Sequence, residues 1–548
     1  MMGSKAVEPK LYLSYSLDAN IPPNHLVRRL GAAIDFDFVR VLVRKRYSHT
    51  GQPSIDPVVL FKLWLLGYLF NITSERRLCD EAGLNLAWRW FLGYELDEPI
   101  PDHSVLSKAR RRFGVRVYEK FFEHIVRLCE VAGLVEGDVL FIDSTLSKAN
   151  AAQQSLRSKA LLGQRLPRTH EFVNELWVVN EEPDEPMGAT GGKSRPELGG
   201  VRKDSRRSAV NDFAVSQTDP DAQRVIRPGA GASLSHKTHF SVDGGKANII
   251  TAVEVRPAGE SDGKAVGRVL DKHHAALGRT VRELVGDGGY GSQTAINACV
   301  EREVRPLLRI RKPSNPHGGL HRSFFTYVPE RDLYICPEGK ELRRIGEARK
   351  RHQTVYKVAA GTCRDCPLKA KCCPGPSDRV VTRRWDMLVV EEMQLRAQTT
   401  RGRRLLNRRQ HVSEHINADA KEKHGMHRAQ FRGRGKMQIQ ALLTAATMNL
   451  KRLITRRPEA QSGMATRRTL TGRVVVFSSG QMATITVSAR QSAVPTCCAL
   501  ALRTIRPSSA SVKAFVNRPK MTANLTNNCG RGRMIMESAS WLSNSNGR

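Results

Sequence analysis

The sequence predicts an α/β protein whose mixed-sheet core follows a helical module and is interrupted by a cysteine-bearing segment. Three observations carry this reading. Residues 24–132 repeat apolar side chains every three to four positions, the spacing of helices that bury one face. Short apolar runs reaching Asp143 and Asp287 then alternate with amphipathic stretches, as strands and helices do in an α/β domain. Five of the eleven cysteines crowd between Cys336 and Cys373.

Within the helical module the periodicity predicts helices over His25–Val43, Pro57–Phe70, Ser74–Ala82, Leu86–Leu92, Ser104–Phe113 and Arg116–Ala132. Asn24 is a candidate cap for the first. Asp56 followed by Pro57 is a capping carboxylate before a first-turn proline, and Asp102-His103-Ser104 opens a helix bearing Lys108, Arg110, Arg111 and Arg112. That basic helix suits either a DNA groove or a solvated face.

Asp138–Asp143 reads as a strand ending at an acid, followed by a small-residue stretch to Ala152. The next 70 or so residues are polar and loop-like, with Glu181–Gly200 a surface insertion or linker. Lys237–Asp243, Gly244-Gly245 and Ile249–Val255 form a hairpin, Ser261–Leu277 a helix, Val281–Asp287 a second strand ending at an acid, Ser292–Arg302 a helix and Val304–Arg311 a strand. Long helical stretches resume at Asp386. The expected divisions are an arm over 1–23, a helical DNA-binding domain over 24–135, a core over 136–312 containing a loop-rich insertion at 153–230, a cysteine-rich insertion over 313–385, the helical remainder of the core over 386–455, and a basic, low-order tail over 456–548. The tail holds fourteen Lys/Arg against Glu459 and Glu537 and little periodicity, as a disordered segment or an out-of-frame extension would.

Charge narrows the partners. With 88 Lys+Arg against 53 Asp+Glu, the net charge of +35 favours a polyanion, DNA or RNA, over a merely soluble basic protein or a membrane-surface binder. The longest apolar run, Val58–Phe70, contains Lys62 and is too short to span a bilayer, and the amino terminus lacks a signal-peptide core, so the expectation is a cytoplasmic protein with no membrane partner.

The acids point to chemistry. A strand end fixes a short carboxylate with little rotamer freedom, and Mg²⁺ takes oxygen ligands while keeping water and phosphate oxygens in its shell. Asp143 and Asp287 suit such a centre, although either alone is an ordinary turn or capping residue. Glu414 is the third candidate. Lys421 lies seven positions later, and at about 100° per residue the two share a helix face, which an exposed, mixed-charge helix would equally show. After it, Met426–Lys436 supplies Arg428, Arg432, Arg434 and Lys436 in a loop suited to a DNA backbone. Cys336, Cys363, Cys366 and Cys372 suit a tetrahedral zinc site, with Cys373 an alternate and unliganded buried cysteines the competing reading. Cys79, Cys129 and Cys299 fall in helical patterns as core residues.

The segments Phe141-Ile142-Asp143-Ser144-Thr145, Gly286-Asp287-Gly288-Gly289-Tyr290-Gly291 and Glu414 to Lys421 resemble the three acidic blocks of DDE transposases of bacterial insertion sequences, in the group with a Tyr-Arg-Glu-Lys signature. Pro101–Ser107 in the helical front matches too, and the resemblance spans roughly residues 20–455. It implies an RNase H-like core in which Asp143, Asp287 and Glu414 hold two Mg²⁺ or Mn²⁺ ions, cleave at the terminal inverted repeats and transfer the 3′ strand to target DNA, with a homodimer working on DNA in the nucleoid. It also implies a small structural knob at the cysteines. Asn407 and Gln410 stand where the signature has Tyr and Arg, so Arg408 or Arg409 is the candidate to take the arginine's place. A non-catalytic DNA-binding protein, or a metal-dependent nuclease without strand transfer, are the alternatives.

Overall fold

A computed structural model describes residues 16–48, 50–159, 210–227, 231–310, 319–349 and 352–456, together with the backbone of 469–478 and 481–490. Most of the amino-terminal arm, the Glu181–Gly200 linker and most of the 456–548 tail lie outside these residues. The chain divides after Arg456. In the second unit, Thr469–Ser478 pairs antiparallel with Gln481–Arg490.

The helical module contains α1 (Leu26–Ala33), α2 (Asp37–Val43), α3 (Pro57–Leu69), α4 (Glu75–Leu84), α5 (Leu86–Leu92) and α6 (His103–Val131). The single helix expected over His25–Val43 is two, because Asp35 accepts a hydrogen bond from the Asp37 N–H at 2.9 Å and starts a new helix there. His25, not Asn24, caps the first through Nδ1. Asp56 and Asp102 cap α3 and α6 as their sequence contexts predict. The two expected helices on either side of Gly114 run as one element kinked at that glycine, whose φ of 70° favours a residue without Cβ. Helix α3 is apolar and buried from Val58 to Tyr68 except at the half-buried Lys62, and Phe61 and Trp64 pack against Phe113, Tyr118 and Phe121 of α6. No helix of the described residues is long and apolar enough to cross a membrane.

The core sheet is built from β1 (Val139–Lys148), β2 (Gln223–Arg227), β3 (Gly231–Asp243), β4 (Ile250–Pro257), β5 (Glu283–Gly286) and β6 (Arg305–Leu308). β1 is flanked by β3, antiparallel, and β5, parallel; β3 also pairs with β2 and β4, and β5 with β6. The hairpin turn at Gly244-Gly245 is fixed by the buried Asp243 carboxylate, which accepts from the Glu136, Gly137 and Gly245 N–H groups. Part of the stretch read as loop-rich is therefore sheet, since β2 is an edge strand and Leu156–Ser158 pairs with Ala214–Ser216. Its polar sequence hid it because an edge strand has a solvated side.

Helices α7 (Val266–Leu277) and α8 (Gln293–Val300) follow β4 and β5, and α9 (Met387–Gln398), α10 (Thr400–Lys423) and α11 (Arg434–Arg456) end the unit. Helix α11 is buried along most of its length and packs on α6, α3 and β4. Two of its amides finish the β4 edge: Asn449 bonds both the Ile250 N–H and C=O, and Gln438 bonds the Val255 N–H and Val253 C=O, all at 2.7–2.9 Å. Between the halves of the core, β7 (Thr326–Val328), β8 (Leu333–Ile335), β9 (Glu341–Ala348), β10 (Gln353–Val358) and β11 (Val380–Arg384) form a separate antiparallel meander with its own core of Phe325, Tyr334, Leu342, Tyr356 and Val381.

Candidate active site

The parallel pairing of β1 with β5 runs through Phe141 and Val285, two residues before Asp143 and Asp287, and the two carboxylates lie within each other's field. β1 does not end at Asp143, as the sequence had suggested. It runs on to Lys148, and its polar half alternates buried Thr145 and Ser147 with more exposed neighbours, a pattern that small polar residues disguise as loop. Asp287 does follow directly on β5. Its carboxylate accepts the Gly289 N–H at 2.9 Å, and the turn is locked by Tyr290, fully buried, whose hydroxyl meets His239 Nδ1 at 2.7 Å. His239 stands opposite Ser144 on β3, so the tyrosine ties the second acid's turn to the strand beside the first.

Burial is the main force on Asp143 and raises its carboxyl to about 6; the Ser144 N–H and Arg409 pull it down, while Asp287 and Asp262 push it up. Asp262 is the acid that sequence reading missed. It sits in a short 3-10 turn ahead of α7, accepts from Ser144 Oγ at 3.3 Å and pairs with Lys237 at 2.9 Å. A Cβ at position 289 would collide with a carboxylate oxygen of Asp262 and press on one of Asp287, so the glycine two residues after the second acid leaves room for two carboxylates. The signal was present in Ser261-Asp262-Gly263, just beyond an apolar strand, but was absorbed into a helix that begins only at Val266.

Helix α10 lies across β1 and β5. The stripe Arg409, Ser413, Asn417 faces the sheet: Arg409 comes within 3.6 Å of Asp143 Oδ2, and Asn417 Nδ2 donates to the same oxygen at 3.4 Å. Glu414 is one residue round the helix, about 100° away, and is exposed with Oε1 accepting from Gln410 at 3.1 Å. The structure therefore brings Asp143 and Asp287 together and leaves Glu414 on the outer side. Of the two candidate arginines, Arg409 reaches the acids, whereas Arg408 donates to the Gly245 carbonyl. Lys421 is half-buried two turns beyond Glu414.

The donor chemistry fits a hard divalent cation: Asp143, Asp287 and Asp262 offer oxygens only, and Asn417 Oδ1 is buried without a hydrogen-bond partner among the described residues. As the side chains stand, no group of three or more His, Cys, Asp or Glu among the described residues is arranged to hold an ion.

The basic residues separate by exposure. Lys108, Arg111 and Arg112 are exposed on α6, Arg112 lying over Tyr47. Arg110 corrects the expectation of a DNA contact: it is 6% exposed, paired with Glu75 and stacked 3.9 Å from the Phe431 ring centre. It falls on the Leu106–Phe113–Val117 face that points into the core. In the loop before α11, Arg428 and Arg432 are exposed and Arg434 and Lys436 half-buried. That loop is bound to the end of β1, where the Lys148 N–H donates to the His427 carbonyl and the Ala429 N–H to that of Lys148.

In the meander, Cys363 and Cys372 are buried, and Cys336 and Cys373 pack against the same core, while Cys366 is half-buried outside it. Cys336 Sγ accepts the Lys340 N–H at 3.2 Å and Cys363 Sγ the Arg379 N–H at 3.5 Å. Burial and mutual proximity push the thiols of Cys363 and Cys372 up, the latter to about 11, with Cys373 acting on both.

Residues 15–112 match the family model described as a transposase domain (DUF772), and residues 335–454 match that of a transposase DDE domain. The second stretch includes Glu414; Asp143 and Asp287 lie between the two. No curated protein matches the chain. Among solved structures the chain is similar to a piggyBac transposase in a synaptic complex with hairpin DNA, at 9% identity and a TM-score of 0.29, over 80% of this chain and 75% of that one. The two family matches, one within the helical module and one over the meander and final helices, support a DDE-type transposase.

Proposed function

We propose that this protein is an insertion-sequence transposase that binds terminal inverted repeats, nicks the DNA and joins the 3′ end to target DNA, acting as a homodimer in the bacterial cytoplasm, associated with the nucleoid when on DNA. The observation that carries this reading is the pair of interacting acids, Asp143 on β1 and Asp287 directly after the parallel strand β5, on the two strands that α10 packs against. The order β4-β3-β1-β5-β6, a hairpin followed by parallel strands, supports an RNase H-like core.

Asp143 and Asp287 would hold Mg²⁺ or Mn²⁺, with Glu414 joining once its side chain leaves Gln410 and turns toward the sheet. Bound there, two divalent ions supply a nucleophile at neutral pH and stabilise charge on the phosphorus oxygens. The chain's own groups do the rest. Tyr290 and His239 fix the turn that presents Asp287, Ser144 and Lys237 orient Asp262, and Arg409 brings a guanidinium to the carboxylates where a phosphate would approach. Arg428, Arg432, Arg434, Lys436 and Lys421 hold the DNA backbone on one side, with Lys108, Arg111 and Arg112 on the helical module.

The reading is tested with DNA carrying the inverted repeats that flank the gene, incubated with protein and Mg²⁺ or Mn²⁺. Nicked ends and joined products are expected, and Ser144→Ala should retain more cleavage than Asp143→Asn or Glu414→Gln because the serine orients rather than ligates. Equal losses would remove the assigned roles, and nicked ends without joined products would leave a nuclease.

The cysteines are assigned to a structural zinc held by Cys336, Cys363, Cys372 and either Cys366 or Cys373. Metal analysis of the purified chain is expected to give one zinc per chain, lost in Cys363→Ser together with a fall in the melting temperature. A zinc-free wild-type protein of unchanged stability would leave these thiols as core residues.

A further inference from the structure

Two basic segments far apart in sequence meet at one seam. Arg110 of α6 stacks on Phe431 of the loop before α11, so the residues next to that pair, Arg111 and Arg432, flank the same contact and are both exposed. Lys436 lies in the first turn of α11, four residues after Arg432, and is half-buried. Its ammonium is pushed down first by burial and then by Arg111, Arg110 and Arg432, which places these cations within one another's field. Among the described residues no carboxylate forms an ion pair with Arg111, Arg432 or Lys436. Asp219, which draws the Lys436 ammonium back up, is committed to His236 and to the Gly433 N–H.

The seam is also fixed in place. His424 Nδ1 meets the Tyr68 carbonyl at 2.7 Å, Asn71 donates to the Glu422 carbonyl at 3.3 Å, and the Arg434 N–H donates to Asp221 at 2.8 Å. Cations that cannot move apart repel one another unless an anion sits between them.

We propose that Arg111, Arg432 and Lys436 form one composite clamp for a single DNA phosphodiester, spanning the helical module and the loop that follows α10. The inference rests on the DNA-binding reading above and sharpens it: what the sequence offers as two basic patches is one site, and a strand seated there holds the DNA-binding module in register with the acids.

The test is a double-mutant cycle on the full chain, using fluorescence anisotropy with a generic DNA duplex over a range of salt. Arg111→Gln and Lys436→Gln are each expected to weaken binding roughly fivefold and to reduce the slope of log K against log salt by about 0.9, the loss of one phosphate contact. The double variant should lose little more than the weaker single, with the slope still reduced by about 0.9. Lys108→Gln combined with Lys436→Gln serves as the comparison, in which the losses should multiply. Multiplied losses and a slope reduced by about 1.8 in the Arg111/Lys436 pair would overturn the clamp while leaving DNA binding intact. Failure of the wild-type protein to bind duplex even at low salt would overturn both.

Discussion

Asp143→Asn is expected to abolish nicking while making the metal-free protein more stable at neutral pH. In the folded chain the carboxyl is held near 6, above the unfolded value of about 3.9. Between those values the native state keeps a proton that the unfolded chain has lost, so stability falls as pH rises from about 4 to about 6 and stays lower beyond. The ionised carboxylate thus costs about 2–3 kcal/mol at pH 7.5. The amide removes that cost and gives up only the attraction of Arg409 and the hydrogen bond from Asn417. Urea unfolding in EDTA should show the variant more stable at pH 7.5 and equal to wild type near pH 4, while nicking drops by about a thousandfold or more. A variant destabilised at pH 7.5, or one that still nicks, would show that Asp143 is a structural acid.

Arg110→Ala should unfold the helical module's junction with the core, although this arginine stands in the run read from sequence as DNA-binding. It leaves Glu75 without its partner beneath the surface and takes the guanidinium off Phe431. Breaking a buried pair from one side costs about 3–5 kcal/mol, and because Glu75 keeps some access to water the expected loss is about 2–4 kcal/mol. The urea midpoint measures it. Arg111→Ala, one residue on but exposed, should leave the midpoint where it is and weaken DNA binding instead. An unchanged midpoint for Arg110→Ala would return that residue to the DNA-contact set.

The contrast between these neighbours shows what one-dimensional patterning conveys. Lys108, Arg110, Arg111 and Arg112 look alike as charge, and only the burial of the Leu106–Phe113 face tells them apart. Most core elements were legible because apolar runs of strand length and capping residues such as Asp56 and Asp102 are local signals. Two apolar runs that each reach an acid pointed to Asp143 and Asp287, although β1 runs on past Asp143 to Lys148. Other features were out of reach for a physical reason: β2 and the polar half of β1 lack apolar alternation, and Asp262, though it stands in a visible Ser261-Asp262-Gly263 turn, meets Ser144 only when distant segments converge. Glu414 shows the opposite limit. Its seven-residue spacing from Lys421 fixes a shared helix face but not which way that face turns, and in the structure the Arg409–Asn417 stripe takes the sheet side.

Helix α11 has a bearing on how the protein is made. Because its Asn449 and Gln438 complete the outermost strand and its length packs against helices formed from the first quarter of the chain, a ribosome must release residues up to about 456 before the architecture can close. Products terminated before this helix would expose an unsealed sheet margin, prone to association with other chains, and those ending before residue 426 would also lack the basic loop. A product that ends before Arg456 cannot complete the packing of this helix on α6, α3 and β4.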